Sequence, residues 1–509
     1  MNRCNYLIVG GGTAGCVLAA RLSENTAARV MLLEAGASEG PQSMDDPNAW
    51  FSLWGSDVDW NDQTVAQEHS DCAVHAWPRG KVLGGSSSIN GTIHLRGHQS
   101  SYDRWESLGA TGWNYRSMLP FLKRSEDAPG RDTSLRGRCG PMLIEQQPEP
   151  DPLSRAWLTA ALEAGYPMSS DGNGAITEGV SWTDKNVVRG RRQSAADAYL
   201  RPILSRPNLS VVTEAHVDKL VFEERRCVGA EYTVGKVRHQ VEIADEVVLS
   251  AGAIGSPQLL MLSGIGPASH LSDLGIDVVL DAPHVGRNLH DHPMCWITYG
   301  AARQLPSTNC VPHILMRSDA AADPDLQIGF APVVFGPRWA FRPEPGFSVV
   351  FSLMTPASRG SVRLRGPNPQ DSPLIDPAYF AESQDLDLMI VGMRRALQIA
   401  QAEALKPWRG PVVEPDFDPA DKEACRAYIR RSAGPYFHPV GTCRMGTDKR
   451  AVVNPQLRVN GIDGLRVADA SVMPTIVSAN TNATVLAIAE RAATLIDARD
   501  HACIPGLTP

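Results

Sequence analysis

The N-terminal 34 residues combine short apolar runs with one helical repeat of apolar positions. A run at residues 6–9 is followed by apolar side chains that recur every three or four positions over 17–22, and a second run at 30–33 ends in Glu34. Three glycines separate the first run from the helical repeat: Gly10, Gly12 and Gly15. The pattern predicts a strand, a glycine turn, a helix and a second strand.

This arrangement favours the binding of a dinucleotide. Glycines leave no Cβ between backbone and ligand, and the first turn of the helix offers free N–H groups and a partial positive charge to a pyrophosphate. Glu34 stands about 20 residues beyond the last glycine, where an acid can accept hydrogen bonds from ribose hydroxyls. The fingerprint alone does not separate FAD from NAD, and a tight strand–helix turn without a ligand is the alternative.

Similar elements recur further along the chain. Residues 241–251 end in a buried-type strand that runs into a second glycine turn, GAIGSP, and residues 465–470 form another strand that ends in an acid. Residues 345–366 alternate apolar and polar positions, as strands do, whereas 484–497 have the pattern of an amphipathic helix. Because dinucleotide-type elements occur at both ends and in the middle, we expect a second lobe inserted between them and discontinuous domains.

Residues 40–75 are rich in Asp, Pro, Trp and Gly and predict a long surface excursion. Four aromatic residues lie close together there: Trp50, Phe51, Trp54 and Trp60. They indicate either a flap over the ligand or aromatic side chains that hold the loop against the body of the protein.

Composition narrows the class of protein. The chain has 509 residues, enough for two or more lobes, and its 43% hydrophobic and 20% charged content is typical of soluble enzymes. A net charge of −8 argues against a nucleic-acid surface and an electrostatic membrane anchor. The uncharged stretch 247–269 contains glycines and prolines that fit a strand, loops and a short helix better than a membrane span. With no signal peptide and ten scattered cysteines that lack CxxC spacing, a cytoplasmic location with reduced thiols is expected.

Three longer motifs give the chain a resemblance to a known family. They are GKVLGGSSSIN at 80–90, GAIGSPQLLMLSGIG at 252–266 and FHPVGTCRMG at 437–446, the last followed by VADASVMP and SANTNATVLAIAERAA. The chain thereby resembles the glucose–methanol–choline (GMC) oxidoreductases, which use FAD, and most of all their choline-dehydrogenase-like and aromatic-alcohol-oxidising branches.

The resemblance implies an α/β fold of two domains. A Rossmann-like FAD-binding domain would be assembled from residues 1–130, 181–294 and 431–509. Residues 131–180 and 295–430 would form a substrate domain, whose antiparallel sheet covers the flavin.

The resemblance also implies roles for individual residues. His438 would be the catalytic base, a role that suits an imidazole because its pKa lies near neutrality. Asn480 would hydrogen-bond the substrate oxygen; its neighbour Asn482 is the alternative, although Asn482 also suits capping of the helix that follows. The cofactor would contact Gly10, Gly12, Thr13, Ala14, Gly15, Glu34, Val82, Ser86, Asn90, Gly91, Ile93, Val217, Asp469, Ala470 and Thr481.

Four other positions carry weaker signals. Some members of the family link FAD through a histidine at the position of Ile89, so FAD is expected to be bound non-covalently here. His94 replaces an aromatic residue of the motif, and it either lines the cofactor site or has a structural role. The sequence His290–Asp291–His292 lacks the spacing of a metal site, so no metal is expected. Cys443 is expected to be a small buried residue.

The predicted function is the FAD-dependent oxidation of a primary alcohol to an aldehyde, with proton abstraction by His438 and hydride transfer to flavin N5. A non-redox lyase on the same scaffold and an NAD-dependent dehydrogenase are the alternatives. The sequence leaves open which alcohol is used, whether oxygen or another acceptor takes the electrons, and the oligomeric state.

Overall fold

The computed structural model describes residues 3–145, 149–306, 311–318 and 323–497. The helices are α1 (Thr13–Leu22), α2 (Gln99–Ser107), α3 (Tyr115–Ser125), α4 (Pro152–Glu163), α5 (Gly252–Leu262), α6 (Ala268–Asp273), α7 (Ser383–Ala400), α8 (Lys422–Ser432) and α9 (Asn482–Asp497). The strands of the two large sheets are β1 (Arg3–Val9), β2 (Val30–Leu33), β3 (Gly179–Trp182), β4 (Leu209–Val212), β5 (Ala215–Glu223), β6 (Arg226–Val234), β7 (Val237–Leu249), β8 (Pro293–Ala301), β9 (Pro312–Met316), β10 (Leu326–Ala331), β11 (Gly346–Leu353), β12 (Arg409–Glu414), β13 (Gly434–Pro435) and β14 (Leu465–Val467). A three-stranded sheet consists of Arg287–Leu289, Gly360–Arg363 and Leu374–Asp376.

Sheet I has the strand order β4–β2–β1–β7–β6–β5, with β14 beside β7. The strands β4, β2, β1, β7 and β14 run parallel, whereas β5, β6 and β7 form an antiparallel meander. The carboxyl ends of the parallel strands meet at one edge, which is where doubly wound sheets bind ligands. The predicted Rossmann-like fold class is confirmed.

The predicted strand–turn–helix–strand is confirmed as β1, α1 and β2. Helix α1 is buried along most of its length, because it packs against sheet I and also against α9. Gly10 turns the chain with a φ of +99°, and a Cβ on Gly15 would lie 1.9 Å from the carbonyl oxygen of Gly10. These two positions therefore require glycine, since the helix begins directly above the end of the strand.

Sheet II has the order β12–β8–β11–β10–β9–β3, with β13 beside β8, and every neighbouring pair is antiparallel. Helix α7 packs against β8, β10 and β11, and all eight residues of β11 are buried. The predicted antiparallel sheet of the substrate domain is thus present. Strands β3 and β13 lie close to the predicted boundaries 180/181 and 430/431, and the domain boundaries themselves stay a prediction.

The other predicted elements also correspond to observed ones. The alternating stretch 345–366 contains β11 and Gly360–Arg363, and 465–470 contains β14. Helix α9 begins at Asn482, two residues before the predicted start. Across the parts of the chain that the structure describes, the helices are all too short or too polar to cross a membrane.

Candidate active site

A cavity of about 580 Å³ lies between the carboxyl edge of sheet I and one face of sheet II. Its walls include the residues that follow β1, β2, β7 and β14, together with side chains of β8, β9, β10 and β11. The glycine turn after β1 and the imidazole of His438 therefore face the same enclosed space. A long ligand bound at the turn could extend to that imidazole.

Most of the residues predicted to contact a cofactor line this cavity. They are Gly10, Gly12, Thr13, Ala14, Glu34, Ser86, Asn90, Gly91, Ile93, Val217, Asp469, Ala470 and Thr481. Gly15 is not among the lining residues because it lies under the turn, against Gly10. Val82 is not among them either, since its side chain is buried with Leu53, Val58 and Ile89.

The cavity wall offers a donor and open backbone to a polar ligand. A Cβ on Gly91 would have no atom within 4 Å, so a ligand can approach this part of the backbone. Asn482 accepts a hydrogen bond from Thr13 Oγ1 through Oδ1 (2.9 Å), while its buried Nδ2 has no partner among the described residues. An amide donor left over in a polar cavity fits a ligand that brings acceptor oxygens.

Glu34 stands at the end of β2, as predicted. Its two carboxylate oxygens accept hydrogen bonds from the N–H groups of Gly11 and Gly36, each at 2.7 Å. Burial nevertheless raises the pKa of this carboxyl to about 7. Each oxygen keeps one further lone pair, so Glu34 can still accept a hydrogen bond from a ligand hydroxyl.

A chain of hydrogen bonds fixes the tautomer of His438. His292 Nε2 lies 3.1 Å from the carbonyl oxygen of Val477, which can only accept, so this nitrogen carries the hydrogen. Burial lowers the pKa of His292 to about 3, so the ring is neutral and its Nδ1 accepts from His438 Nδ1–H at 2.9 Å. The Nε2 atom of His438 is then left with a lone pair, and Asn480 Nδ2 donates to it at 3.1 Å.

Burial also lowers the pKa of His438 itself well below its usual value. The imidazole is therefore neutral at physiological pH, and both His438 and Asn480, which bonds its unprotonated nitrogen, line the cavity. This is the state that a general base requires.

Asp291 holds the backbone on both sides of Phe437, the residue before His438. One carboxylate oxygen accepts from His438 N–H at 2.6 Å, and the other accepts from Tyr436 N–H at 3.1 Å and from the hydroxyl of Tyr379. Phe437 has a φ of +63°, a conformation that costs a non-glycine residue roughly 1–3 kcal/mol. The carboxylate therefore stabilises the strained turn that presents the imidazole to the cavity.

Aromatic rings surround the cavity near His438. The ring of Trp54 lies 5.9 Å from that of Trp339 and 5.0 Å from that of Phe437, and Trp339 lies 5.0 Å from Phe335. Trp54 therefore packs against the body of the protein, as one interpretation of the cluster in residues 40–75 expects, and it also lines the cavity, while a flap over the ligand stays a prediction.

Sequence reasoning missed the supporting residues Asp291 and His292. They were considered only as metal ligands, and the described residues contain no group of three or more side chains that could hold a metal ion. Their partner His438 stands 146 residues beyond His292 and 147 beyond Asp291, so the hydrogen bonds cannot be inferred from spacing. His94 is buried with Nε2 2.9 Å from Glu126 Oε2 and is not among the cavity-lining residues, and Cys443 is buried as expected.

Two family models match most of the chain. The N-terminal GMC oxidoreductase model matches residues 4–294 and the C-terminal one matches 356–489. This chain belongs to the GMC oxidoreductase family. The resemblance noted in the sequence is thus confirmed, and it identifies an FAD-dependent enzyme that acts on CH–OH groups.

Individual relatives are similar to this GMC oxidoreductase over nearly its whole length. Human mitochondrial choline dehydrogenase is 38% identical over 97% of this chain and 89% of its own. The alcohol dehydrogenase [acceptor] of Pseudomonas putida is 37% identical over 97% of this chain and 95% of its own. The crystal structure of pyridoxine 4-oxidase from Mesorbium loti superposes with a TM-score of 0.93 at 34% identity, covering 98% of this chain and 99% of that one.

The cavity fits FAD. Backbone that a ligand can approach at Gly91, the unpartnered amide of Asn482 and the carboxylate of Glu34 lie along its walls. Glu34 and Asn482 would hold the adenosine and pyrophosphate side of the cofactor, whereas Gly91 would lie on the flavin side, and the individual contacts stay a prediction.

Proposed function

We propose that this GMC oxidoreductase oxidises a primary alcohol to an aldehyde, with His438 as the base that takes the hydroxyl proton. The observation that carries the proposal is the unprotonated Nε2 of His438, a residue that lines the same cavity as the glycine turn. When bound, FAD would supply the hydride acceptor, its N5 atom, for the hydrogen that leaves the carbinol carbon.

Asn480 would orient the alcohol. Its Nδ2 donates to the lone pair that the substrate hydroxyl would occupy, and its buried Oδ1 has no partner among the described residues. A substrate O–H that donates to His438 Nε2 would displace this contact, after which the amide N–H could donate to the substrate oxygen. The developing negative charge on that oxygen would be stabilised by this donor.

The experiment is to mix the oxidised holoenzyme with primary alcohols in the absence of oxygen and to follow flavin absorbance. We expect bleaching by at least one alcohol. A lyase would leave the flavin oxidised, and a colourless protein that turns over alcohol only with NAD would overturn the proposal. Oxygen consumption with and without a dye acceptor would then show which acceptor is used.

We also propose that the reaction takes place in the cytoplasm.

FAD should be released when the protein is denatured. Ile89 lines the cavity next to Asn90 and offers no nucleophile, so we propose that the cofactor is held without a covalent bond. After acid precipitation, the yellow colour should appear in the supernatant. Colour that stays with the precipitated protein would contradict this prediction.

The rate of flavin reduction should fall as the pH is lowered through about 6. Burial raises the pKa of Asp291 to about 6, whereas burial lowers the pKa of His438 well below its usual value, so Asp291 takes up a proton first as the pH falls. A protonated carboxyl loses one acceptor position and weakens its hold on the backbone of His438. The pH profile of kcat/KM checks this, and an unchanged acid limb in Asp291→Asn would contradict it.

A further inference from the structure

The part of the cavity formed by sheet II is uncharged. Every described side chain that this sheet contributes to the cavity wall is apolar, aromatic or neutral, including His313, because burial lowers its pKa to about 4. The acidic lining residues lie elsewhere in the chain: Glu34, Asp62, Asp371 and Asp469. Asp62 bonds Arg79, and Arg79 and Lys81 lie over the ring of Trp60.

Trp60 in turn marks the far end of the cavity. Its ring lies 6.1 Å from that of His216, the residue before Val217 on β5 of sheet I. The charges at Arg79, Lys81 and Asp62 are therefore grouped on the sheet I side, whereas the space next to His438 is bounded by aromatic rings and aliphatic side chains. Such walls favour a flat apolar ligand.

A polar side chain that sheet II contributes to the cavity wall lacks a full set of partners. Gln327 on β10 is only 5% exposed, and its Oε1 accepts a hydrogen bond from the hydroxyl of Tyr436 at 2.9 Å. Its amide nitrogen, by contrast, has no bond to any described residue, although Gln327 lines the cavity. Because the ring centroid of Tyr436 lies 4.3 Å from that of His438, the free N–H groups are held near the proposed base.

From this we infer that the substrate is an uncharged aromatic primary alcohol with a hydrogen-bond acceptor on its ring, and that the amide N–H of Gln327 selects this acceptor. The inference deepens the proposed function and rests on it. Either a ring nitrogen or an oxygen substituent on the ring can accept a hydrogen bond from this amide. An alcohol without an acceptor would leave a buried donor unpaired, which costs about 1–3 kcal/mol.

A quaternary ammonium alcohol fits this wall poorly. Aromatic faces would attract the cation by roughly 0.5–2 kcal/mol each, but the desolvation of a buried charge costs more unless an opposite charge lies near it. Sheet II provides no carboxylate within the described part of the cavity wall. Choline is therefore expected to be a poor substrate, despite the 38% identity to human choline dehydrogenase.

The test compares alcohols that differ only in the acceptor. In the wild type, kcat/KM for 3- or 4-pyridylmethanol, or for 4-methoxybenzyl alcohol, should exceed that for benzyl alcohol by about tenfold or more. Whether a pyridylmethanol or the methoxy alcohol has the higher kcat/KM shows whether the preferred acceptor is nitrogen or oxygen. Gln327→Leu should lower this ratio by a similar factor. The exposed Gln398, on α7 outside the cavity, gives the matched control Gln398→Leu, in which the ratio should stay within about twofold.

A second variant and a binding measurement keep the test informative if Gln327→Leu does not fold. Gln327→Glu keeps an acceptor for Tyr436 but has no N–H groups, so it should lose the preference and gain turnover of choline. Calorimetric titration of the oxidised holoenzyme with isonicotinamide and benzamide, neither of which is an alcohol, should show the same loss of discrimination in both variants.

Two kinds of failure can be told apart. If alcohols bleach the flavin but the wild type does not discriminate, or choline is the better substrate, this inference is wrong and the proposed function stands. If isonicotinamide binds more tightly than benzamide but no alcohol bleaches the flavin, the proposed function is wrong.

Discussion

Replacing His438 with alanine should slow anaerobic reduction of the flavin by an alcohol by about 10²–10⁴-fold while FAD stays bound. The imidazole is the neutral base at the cavity wall, with its free nitrogen set by His292 and Asn480. Without it, the hydroxyl proton would have to pass to water or to Asn480, and an amide is a far weaker base. Stopped-flow absorbance measures the rate, and the FAD content of the purified variant shows whether the cofactor site is intact.

A matched control is the same substitution at a histidine far from the chemistry. His69 is exposed and is not among the cavity-lining residues, so His69→Ala should reduce the flavin at the rate of the wild type. A second replacement, His438→Gln, keeps much of the side-chain volume and should be slow as well. If His438→Ala binds FAD and reduces it at an unchanged rate, the residue is not the base.

Asp291→Ala should have the second largest effect, a loss of about 10²-fold in the rate of flavin reduction. The substitution leaves the N–H of His438 and the hydroxyl of Tyr379 without their acceptor, whereas the N–H of Tyr436 keeps its bond to the carbonyl oxygen of His292 at 3.0 Å. Each unpaired buried donor costs about 1–3 kcal/mol, so the turn at Phe437 should relax and move the imidazole. The same variant should unfold at a lower temperature, which a thermal scan of the holoenzyme would show.

Tyr379→Phe separates the position of the base from general destabilisation. It removes one of the three donors but leaves both backbone contacts of Asp291, so its rate should stay within a few-fold of the wild type. A rate in Asp291→Ala equal to that in Tyr379→Phe would mean that the carboxylate does not position His438.

The sequence predicted those parts of the fold that are determined by neighbouring residues. The turn at Gly10 and the helix α1 could be recognised because their residue types are required by backbone geometry, independent of the rest of the chain. Alternation over 345–366 predicted strands there, but the strand order of sheet II could not be predicted, because it depends on pairing between distant segments. The paired contacts of Asp291 and His292 could not be predicted, because they depend on which distant segments the fold brings together.

The residues of the site also differ in how far the sequence predicts them. His438 and Asn480 stand in motifs that resemble a known family, whereas Gln327 stands on a strand without a motif. Its importance emerges only when the unpaired amide nitrogen is seen inside a cavity. The hydrogen-bond partners of a polar group depend on the folded structure, so they cannot be recognised from the spacing of residues in a single sequence.

The placement of β14 and α9 has a consequence for synthesis of the protein. Strand β14 pairs with β7 in sheet I, and α9 packs against α1, so the last described segments complete the structure that the first ones begin. During translation, the apolar face of α1 that α9 covers stays exposed until nearly the whole chain has left the ribosome. From that order of assembly we expect the nascent chain to depend on chaperones and the cofactor to bind only after synthesis is nearly complete.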